Sequence, residues 1–465
     1  MMKKISLIIL VAFSYNLYAQ KGHLETLNYE ITVDSIFSNK INDYRTIKIY
    51  LPEEYSEDKK YPVIYTLDGD WMFSPLVSQS KVLMDFDVIP ESIIVGIFHG
   101  HYEKRNSDLS WNWDNGKLTE SSSFFYDFLA KELITHIDNK YSSSGFNALV
   151  GHSNSATFSH IILTKENQPF NGFIALSQNL SKSQLEKYAE FSKINHQKNK
   201  FYFVASGKFD NHNRLKTGIF LDSLFNTNKS NKLHVKHSLY NAEHNNIVGK
   251  ALKDGIEHIF SMYKHYNGEN ISFIDSLHSK NINLIEFIEA NENNIKETYG
   301  LQTRIAFNHN DAHFLSIGSR NEQELIDVLN YQKEKLGVDE WFYFSYAQLF
   351  EYKGYYEESL KYWLKNLDND YERDRKDIFS LKRTFELVYG KMKEPERAIN
   401  LALEWKKEYP QFSQNINYWI AKITSDKGIH NKKGKKAIKE YIRNYIKPEP
   451  IELDKAKELE MKLKK

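Results

Sequence analysis

From Tyr29 to about His265 the sequence alternates between two hydrophobic periods, and this alternation limits the fold more than any other feature. Short apolar, β-branched runs lie at Tyr44–Leu51, Tyr61–Leu67, Ser92–Phe98, Phe146–Val150, Gly172–Leu176, Phe201–Ala205 and Leu233–Leu239. Helix-period segments fall between several of them, at Ser123–Tyr141, Asn154–Lys165 and Lys250–Tyr263. A strand that is apolar along its whole length is buried on both faces, as when helices cover both sides of a mostly parallel sheet. The first part of the chain is therefore expected to be α/β. No helical pattern separates Tyr44–Leu51 from Tyr61–Leu67, so the sheet should open antiparallel.

After about Asn267 the strand signal fades. Ser272–Thr298 and Glu322–Lys335 carry helical periods, and from Trp341 onward helical pairs recur. Ser359, Ala398 and Ala437 fall 39 residues apart, each followed four residues later by Trp363, Ala402 or Tyr441. A small residue at that point lets paired helices approach closely. Pro410 and Pro448 each end a turn of helix. The pattern resembles tetratricopeptide-type repeats, whose usual period is about 34 residues. Composition agrees: 20 Gly and 9 Pro in 465 residues is roughly half the usual share. A sandwich or barrel throughout would need more turn residues.

Met1-Met2-Lys3-Lys4 is a short basic start, Ile5 to Phe13 is almost wholly apolar, and Tyr18-Ala19-Gln20 follows. This reads as a secretory leader cleaved after Ala19. The expected layout is a leader at 1–19, an α/β domain at 20–268 and a helical-repeat domain at 269–465. The mature protein is expected to be exported, periplasmic or secreted. No later run reaches the roughly 18 apolar residues of a spanning helix, so no membrane span is expected. With no Cys, a disulfide scaffold, a thiolate metal site and a cysteine nucleophile are excluded. The 62 Lys and Arg balance 61 Asp and Glu, which gives no argument for nucleic acid.

One stretch carries chemistry. Phe146–Val150 is an apolar strand that runs into Gly151-His152-Ser153-Asn154-Ser155, and a helical pattern starts at once. A nucleophilic serine needs a sharp strand-to-helix turn, where bulky neighbours would clash. Gly151 and Ser155 are small. The helix N-terminus adds partial positive charge beside a developing oxyanion. Ser153 is the expected nucleophile; the bland reading is a serine that caps the helix.

With these residues in view, the chain resembles the esterase branch of the α/β-hydrolases, the group that includes enterochelin esterases and esterase D-like S-formylglutathione hydrolases. Four landmarks carry the resemblance across roughly Tyr29–Tyr266, in the family's order. They are Tyr61–Gly69 (YPVIYTLDG), the Val95-Gly96-Ile97 strand followed by Arg105-Asn106-Ser107-Asp108-Leu109, the Gly151–Ser155 turn, and Glu243-His244-Asn245-Asn246.

The resemblance implies an α/β-hydrolase fold and an ester hydrolase with a Ser-His-Asp triad. It places oxyanion donors at the backbone N–H groups of Asp70 and Asn154, with Trp71 and Phe73 either lining the cleft or packing in the core. It places the base at His244, after the last strand, in the order Ser, acid, His. The acid is expected at Asp210, with Asp222 as the alternative. Arg105 and Asp108 fit the family's Arg-x-x-Asp pattern and are expected to pair and brace a loop. No metal or cofactor is expected. The expected substrate is a small-molecule or oligomeric ester, such as a siderophore or a polysaccharide-linked acyl ester, and the helical repeats could take a protein partner. Two other readings stay open. One is a binding module on a non-catalytic hydrolase scaffold, and the other is an acyltransferase of the same fold.

Overall fold

The computed structural model describes residues 30–227, 232–263, 276–277, 279–301, 309–339, 341–372, 379–446 and 451–464. The expected leader, 1–19, lies outside the described residues.

Eight strands form one sheet: β1 (Glu30–Ser38), β2 (Asp43–Leu51), β3 (Tyr61–Thr66), β4 (Ile93–Ile97), β5 (Ser143–His152), β6 (Gly172–Leu176), β7 (Lys200–Gly207) and β8 (Leu233–Tyr240). Their order is β1-β2-β4-β3-β5-β6-β7-β8. β1 with β2 and β2 with β4 are antiparallel. The remaining pairs are parallel. The sheet is thus mostly parallel with the expected antiparallel opening, and with flanking helices it is an α/β-hydrolase architecture. β1 is an addition to the expected strands. Its sequence EITVDSIFS alternates polar and apolar only as far as Asp34, and Ile31, Val33 and Phe37 are exposed. An edge strand with a wet face carries no continuous apolar run.

The central strands are buried on both faces because their neighbours alternate. Val63 and Tyr65 pack in one apolar layer with Phe125, Phe128 and Phe158. Ile64, between them, packs in the opposite layer with Leu76 and Ile256. Each such side chain contributes roughly 1.5–3 kcal/mol when taken out of water. The expected helix at Ser123–Tyr141 is continuous in direction but changes winding, from α at Glu120–Asp127 through a π segment at Phe128–Leu133 to α at Ile134–Lys140.

The chain divides into two compact units, residues 1–265 with 290–306 and residues 266–289 with 307–465. The first unit recruits the end of the helix Leu284–Tyr299. Ile295, Tyr299 and Leu301 are buried in the layer that holds Phe146 and Phe260. The Tyr299 ring lies 4.9 Å from that of Phe146. Its hydroxyl donates to Ile259 O at 3.1 Å and accepts from Met262 N–H at 3.2 Å.

The second unit is helical in its described residues. Consecutive helices include Phe342–Lys353, Tyr356–Glu372, Pro395–Glu408, Ser413–Lys427 and Asn431–Arg443. Trp363, Phe385, Trp405 and Trp419 are in its core. Ser359, Ala398 and Ala437 are buried as their spacing implied, and Ser359 Oγ donates to Ala347 O of the preceding helix at 2.8 Å. Glu351 is buried and held by Trp363 Nε1 at 3.2 Å, Arg383 at 2.5 Å and Lys391 at 2.7 Å.

Candidate active site

The functional side chains lie at the carboxyl ends of β5, β6, β7 and β8, where parallel sheets offer a crevice. β5 ends at His152, Ser153 turns, and the helix Asn154–Leu163 begins with the next residue. Ser153 is left-handed, with φ 63° and ψ −121°. Strain of this kind costs on the order of 1–3 kcal/mol and persists where surrounding contacts impose it. Here Ser153 N–H donates to Leu176 O at 2.9 Å, and His152 N–H donates to Ser155 Oγ at 2.8 Å. Gly151 has no substitute: a Cβ there would stand 2.4 Å from Ser155 O.

His244 arrives on the loop after β8. Its Nε2 is 3.1 Å from Ser153 Oγ, and its Nδ1 is 3.2 Å from Asp210 Oδ2. With the proton on Nδ1, Nε2 can accept from the serine hydroxyl while Nδ1–H donates to the carboxylate. Asp210 comes from the loop after β7. That loop and the His244 loop touch closely, since a Cβ on Gly207 would meet Ala242 O at 2.4 Å. Burial pushes the Asp210 carboxyl upward. Hydrogen bonds from Ser177, Asn211 N–H and His244 together outweigh burial and leave it below the usual carboxylate value. The other candidate, Asp222, lies 3.8 Å from His237 instead.

His152 packs its ring on His244, with centroids 4.7 Å apart, and its Nε2–H donates to His244 O at 2.7 Å. Burial lowers its pKa to about 4, so it is a neutral ring packed behind His244. Trp71 is 43% exposed and meets the His152 ring edge-on at 5.2 Å. Of the two places open to it, Phe73 takes the core. It is 3% exposed, in the core, against Gly96.

The two residues expected to supply oxyanion donors both sit in first helical turns, where N–H groups lack intrahelical acceptors. Asn154 opens its helix, and Asp70 is the second residue of the helix Gly69–Asp85. Asp68 caps the latter helix in the left-handed region, φ 56°. Its buried carboxylate accepts from Arg105 Nε at 2.5 Å and Nη2 at 2.9 Å, and lies 2.8 Å from Ser155 Oγ. One carboxylate therefore ties the Asp70 helix to the Ser153 turn.

The expected Arg105–Asp108 pair is a correction. Both are on the helix Tyr102–Asp108, but Arg105 reaches Asp68 while Asp108 turns inward. Asp108 pairs with Arg45 Nη2 at 2.7 Å and His99 Nδ1 at 2.8 Å. Asp108 and Arg45 are each 2% exposed, and a buried carboxylate needs a partner at its own depth. The sequence reading thus missed Asp68, Arg45, His99 and also Ser177, which contacts both His244 and Asp210. In sequence these are polar residues at strand ends, with no periodicity to mark them.

An open hollow of about 410 Å³ lies beside His244 and Asp210, lined also by Phe209, Asn211, Arg214, Glu243 and Asn245. A larger one of about 650 Å³ is lined by Trp113, by Asn179–Leu185 residues and by the face of the helix His212–Thr227 that carries Ile219 and Phe220. Among the described residues no group of three or more His, Asp or Glu is placed to hold a metal, and no helix is long and apolar enough to cross a membrane.

The family model described as "Putative esterase" matches residues 38–246. The uncharacterized protein YjcH of Bacillus subtilis (strain 168) is 28% identical over 174 residues, which is 36% of this chain and 70% of that protein. An uncharacterised protein from Capnocytophaga ochracea superposes with a TM-score of 0.60 at 18% identity, over 72% of this chain and 93% of that one. That likeness is one of fold. An IroE-like serine hydrolase from Shewanella oneidensis aligns over 66% of this chain and 96% of its own at 22% identity, with a TM-score of 0.48.

Proposed function

Taking as premise that residues 38–246 belong to the Putative esterase family, we propose that the chain is an exported serine esterase that cleaves carboxylic esters through an acyl-enzyme. The observation that carries the reading is one line of contacts: Ser153 Oγ to His244 Nε2 at 3.1 Å, then His244 Nδ1 to Asp210 Oδ2 at 3.2 Å. In this reading Ser153 Oγ attacks the ester carbonyl while its proton passes to His244 Nε2. The imidazolium then protonates the leaving alcohol. Water repeats the sequence on the acyl-enzyme and restores Ser153. Asp210 orients His244 and stabilises its cationic form. The N–H groups of Asp70 and Asn154 hold the oxyanion, and each such donor is worth about 3–4 kcal/mol of barrier when it is in place beforehand.

Siderophore or polysaccharide-linked acyl esters are the proposed substrates. Their support is the proposed export together with the open crevice, which can admit the end of a large molecule. The paired helices of the second unit are proposed as tetratricopeptide-like repeats with room for a protein partner, supported by the buried small residues recurring at Ser359, Ala398 and Ala437.

The test is direct. A fluorophosphonate probe should label Ser153 in the native protein, and a short chromogenic ester should be hydrolysed by the wild type and not by Ser153→Ala. An equally active mutant removes the assignment. A panel that includes a catecholate siderophore and a feruloyl ester then ranks substrates by kcat/KM.

A further inference from the structure

Ser177 has no part in the reaction as written above, yet it sits inside the site. It follows β6, is 1% exposed and has φ 57°. A serine there is strained by on the order of 1–3 kcal/mol, whereas glycine adopts such a conformation freely. The residue is pinned on three sides. Its N–H donates to Ala205 O at 2.9 Å, its carbonyl accepts from Arg214 Nη1, and its hydroxyl lies between acid and base. Ser177 Oγ is 2.8 Å from His244 Nδ1 and is hydrogen-bonded to Asp210 Oδ2. Asp210 itself stands farther from Nδ1, at 3.2 Å.

Donor counting orders these contacts. An ionised carboxylate only accepts, and a serine hydroxyl has one proton and two lone pairs. Ser177 O–H therefore donates to Asp210, and its oxygen is left to accept Nδ1–H of His244. We propose that Ser177 is a positioning residue for the base, a second acceptor that holds His244 in its Nδ1–H tautomer and passes part of the imidazolium's charge to Asp210 through a Ser177–Asp210 hydrogen bond. The inference rests on the reading of Ser153 and His244 as nucleophile and base. When the Ser153 proton reaches Nε2, the Nδ1 proton stays on nitrogen and Ser177 keeps its own.

This arrangement makes the acid less critical than in a triad where it acts alone. Without Asp210, Ser177 Oγ still accepts Nδ1–H. Spoiling the acid of a lone triad lowers kcat by about 10⁴-fold. Here Asp210→Ala is expected to lose about 10²-fold and Ser177→Gly about 10-fold in kcat, both with KM unchanged, and the double variant about 10⁴-fold.

The experiment measures kcat and KM on p-nitrophenyl acetate for the full chain, Ser153→Ala, Asp210→Ala, Ser177→Gly and Asp210→Ala/Ser177→Gly. Glycine suits the backbone at φ 57°, so a loss in Ser177→Gly reports the hydroxyl and not a misfolded turn. The downfield proton NMR signal of His244 Nδ1–H is the second readout. Ser177→Gly should move it further downfield, because the proton then bonds the carboxylate alone. Asp210→Ala should move it upfield without abolishing it. A double variant no slower than Asp210→Ala, or a Ser177→Gly protein with wild-type kcat and an unmoved signal, overturns the inference while leaving the serine reading intact. A Ser153→Ala protein as active as wild type overturns both.

Discussion

The two units place backbone strain differently. In the first, Asn42, Asp87 and Asn167 take positive φ at turns between elements, as Asn and Asp readily do. Asp68, Ser153 and Ser177 also have positive φ, and these three lie at strand ends: Ser153 and Ser177 both contact His244, and Asp68 holds Ser155 of the Ser153 turn. In the second unit Lys393 and His430 stand just before the helices Pro395–Glu408 and Asn431–Arg443. Buried charge divides in the same way. The first unit gathers Arg45, Asp68, His99 and Asp108 under its crevice. In the second, buried Glu351 ties Trp363 to Arg383 and Lys391, which joins one helix to the next. Strain and buried charge gather around the Ser153 turn in one unit, and in the other buried charge braces helix pairs. Strained residues clustered around one crevice point to function in a way that isolated strain at helix starts does not.

The strongest way to break this contrast is to remove the Ser153 hydroxyl, the proposed nucleophile. Ser153→Ala is expected to lower kcat by about 10⁴-fold or more, read with a chromogenic ester, while the melting of both units stays as it was. Retained turnover would put the chemistry elsewhere in the chain.

Much of the first unit is legible in the sequence because its strands are continuous apolar runs and its turn needs small residues. Ser153 is marked by the strand-to-helix turn, while His244 and Asp210 are named through the resemblance to the esterases, and the three stand within hydrogen-bonding distance of one another. What escaped has a common cause. Arg105 and Asp108 fit the family's Arg-x-x-Asp pattern, and that resemblance leads to the expectation that they pair. Asp108 is buried, so its partner must be too, and Arg45 lies 63 residues away. Asp68 reads as half of an Asp-Gly turn and Ser177 as loop. Neither long-range contact leaves a period in the sequence. The same holds for the helix ending at Tyr299. Its helical period is plain, but nothing in it says which core receives the last turn.

That last turn gives the next largest effect. Tyr299 is fully buried beside Phe146 and Phe260, so Tyr299→Ala should cost the first unit about 3–5 kcal/mol. Urea unfolding followed by hydrogen exchange would locate the loss. Destabilisation confined to the helices after 309 would show that 290–301 does not belong to the sheet's core.

Acid should separate the units by a comparable margin. Burial lowers His152, His160 and His258 to about 4 each. These are bases with depressed folded pKa values, so between about 6.5 and about 4 the unfolded chain binds more protons than the folded one. Stability is present above about pH 6.5, falls as the pH drops toward 4, and changes no further below that on their account. At pH 5.5 each histidine removes about 1 kcal/mol. All three are in the first unit. In the second, burial lowers His313 as well. Exchange protection of the sheet should therefore fall before that of the helices between pH 6.5 and 5. The reverse order would contradict the burial of these rings.

The smallest of the expected effects tests whether the strained residues act together. Asp68 holds Arg105 by two contacts and Ser155 by one, which links the turn that carries Asn154 N–H to the helix that carries Asp70 N–H. Two donors on separate elements hold an oxyanion well only when their spacing is set in advance. Asp68→Gly keeps the backbone at its positive φ without strain and deletes the carboxylate. It should lower kcat by about 10²-fold, the effect of losing one oxyanion donor, while KM and fluorophosphonate labelling at saturating probe stay near wild type. Ser155→Ala cuts the link at its other end and leaves Arg105 paired, so its loss in kcat should be smaller. If Asp68→Gly matches wild type in kcat, the two elements keep their spacing by packing alone, and the buried carboxylate serves only to neutralise Arg105.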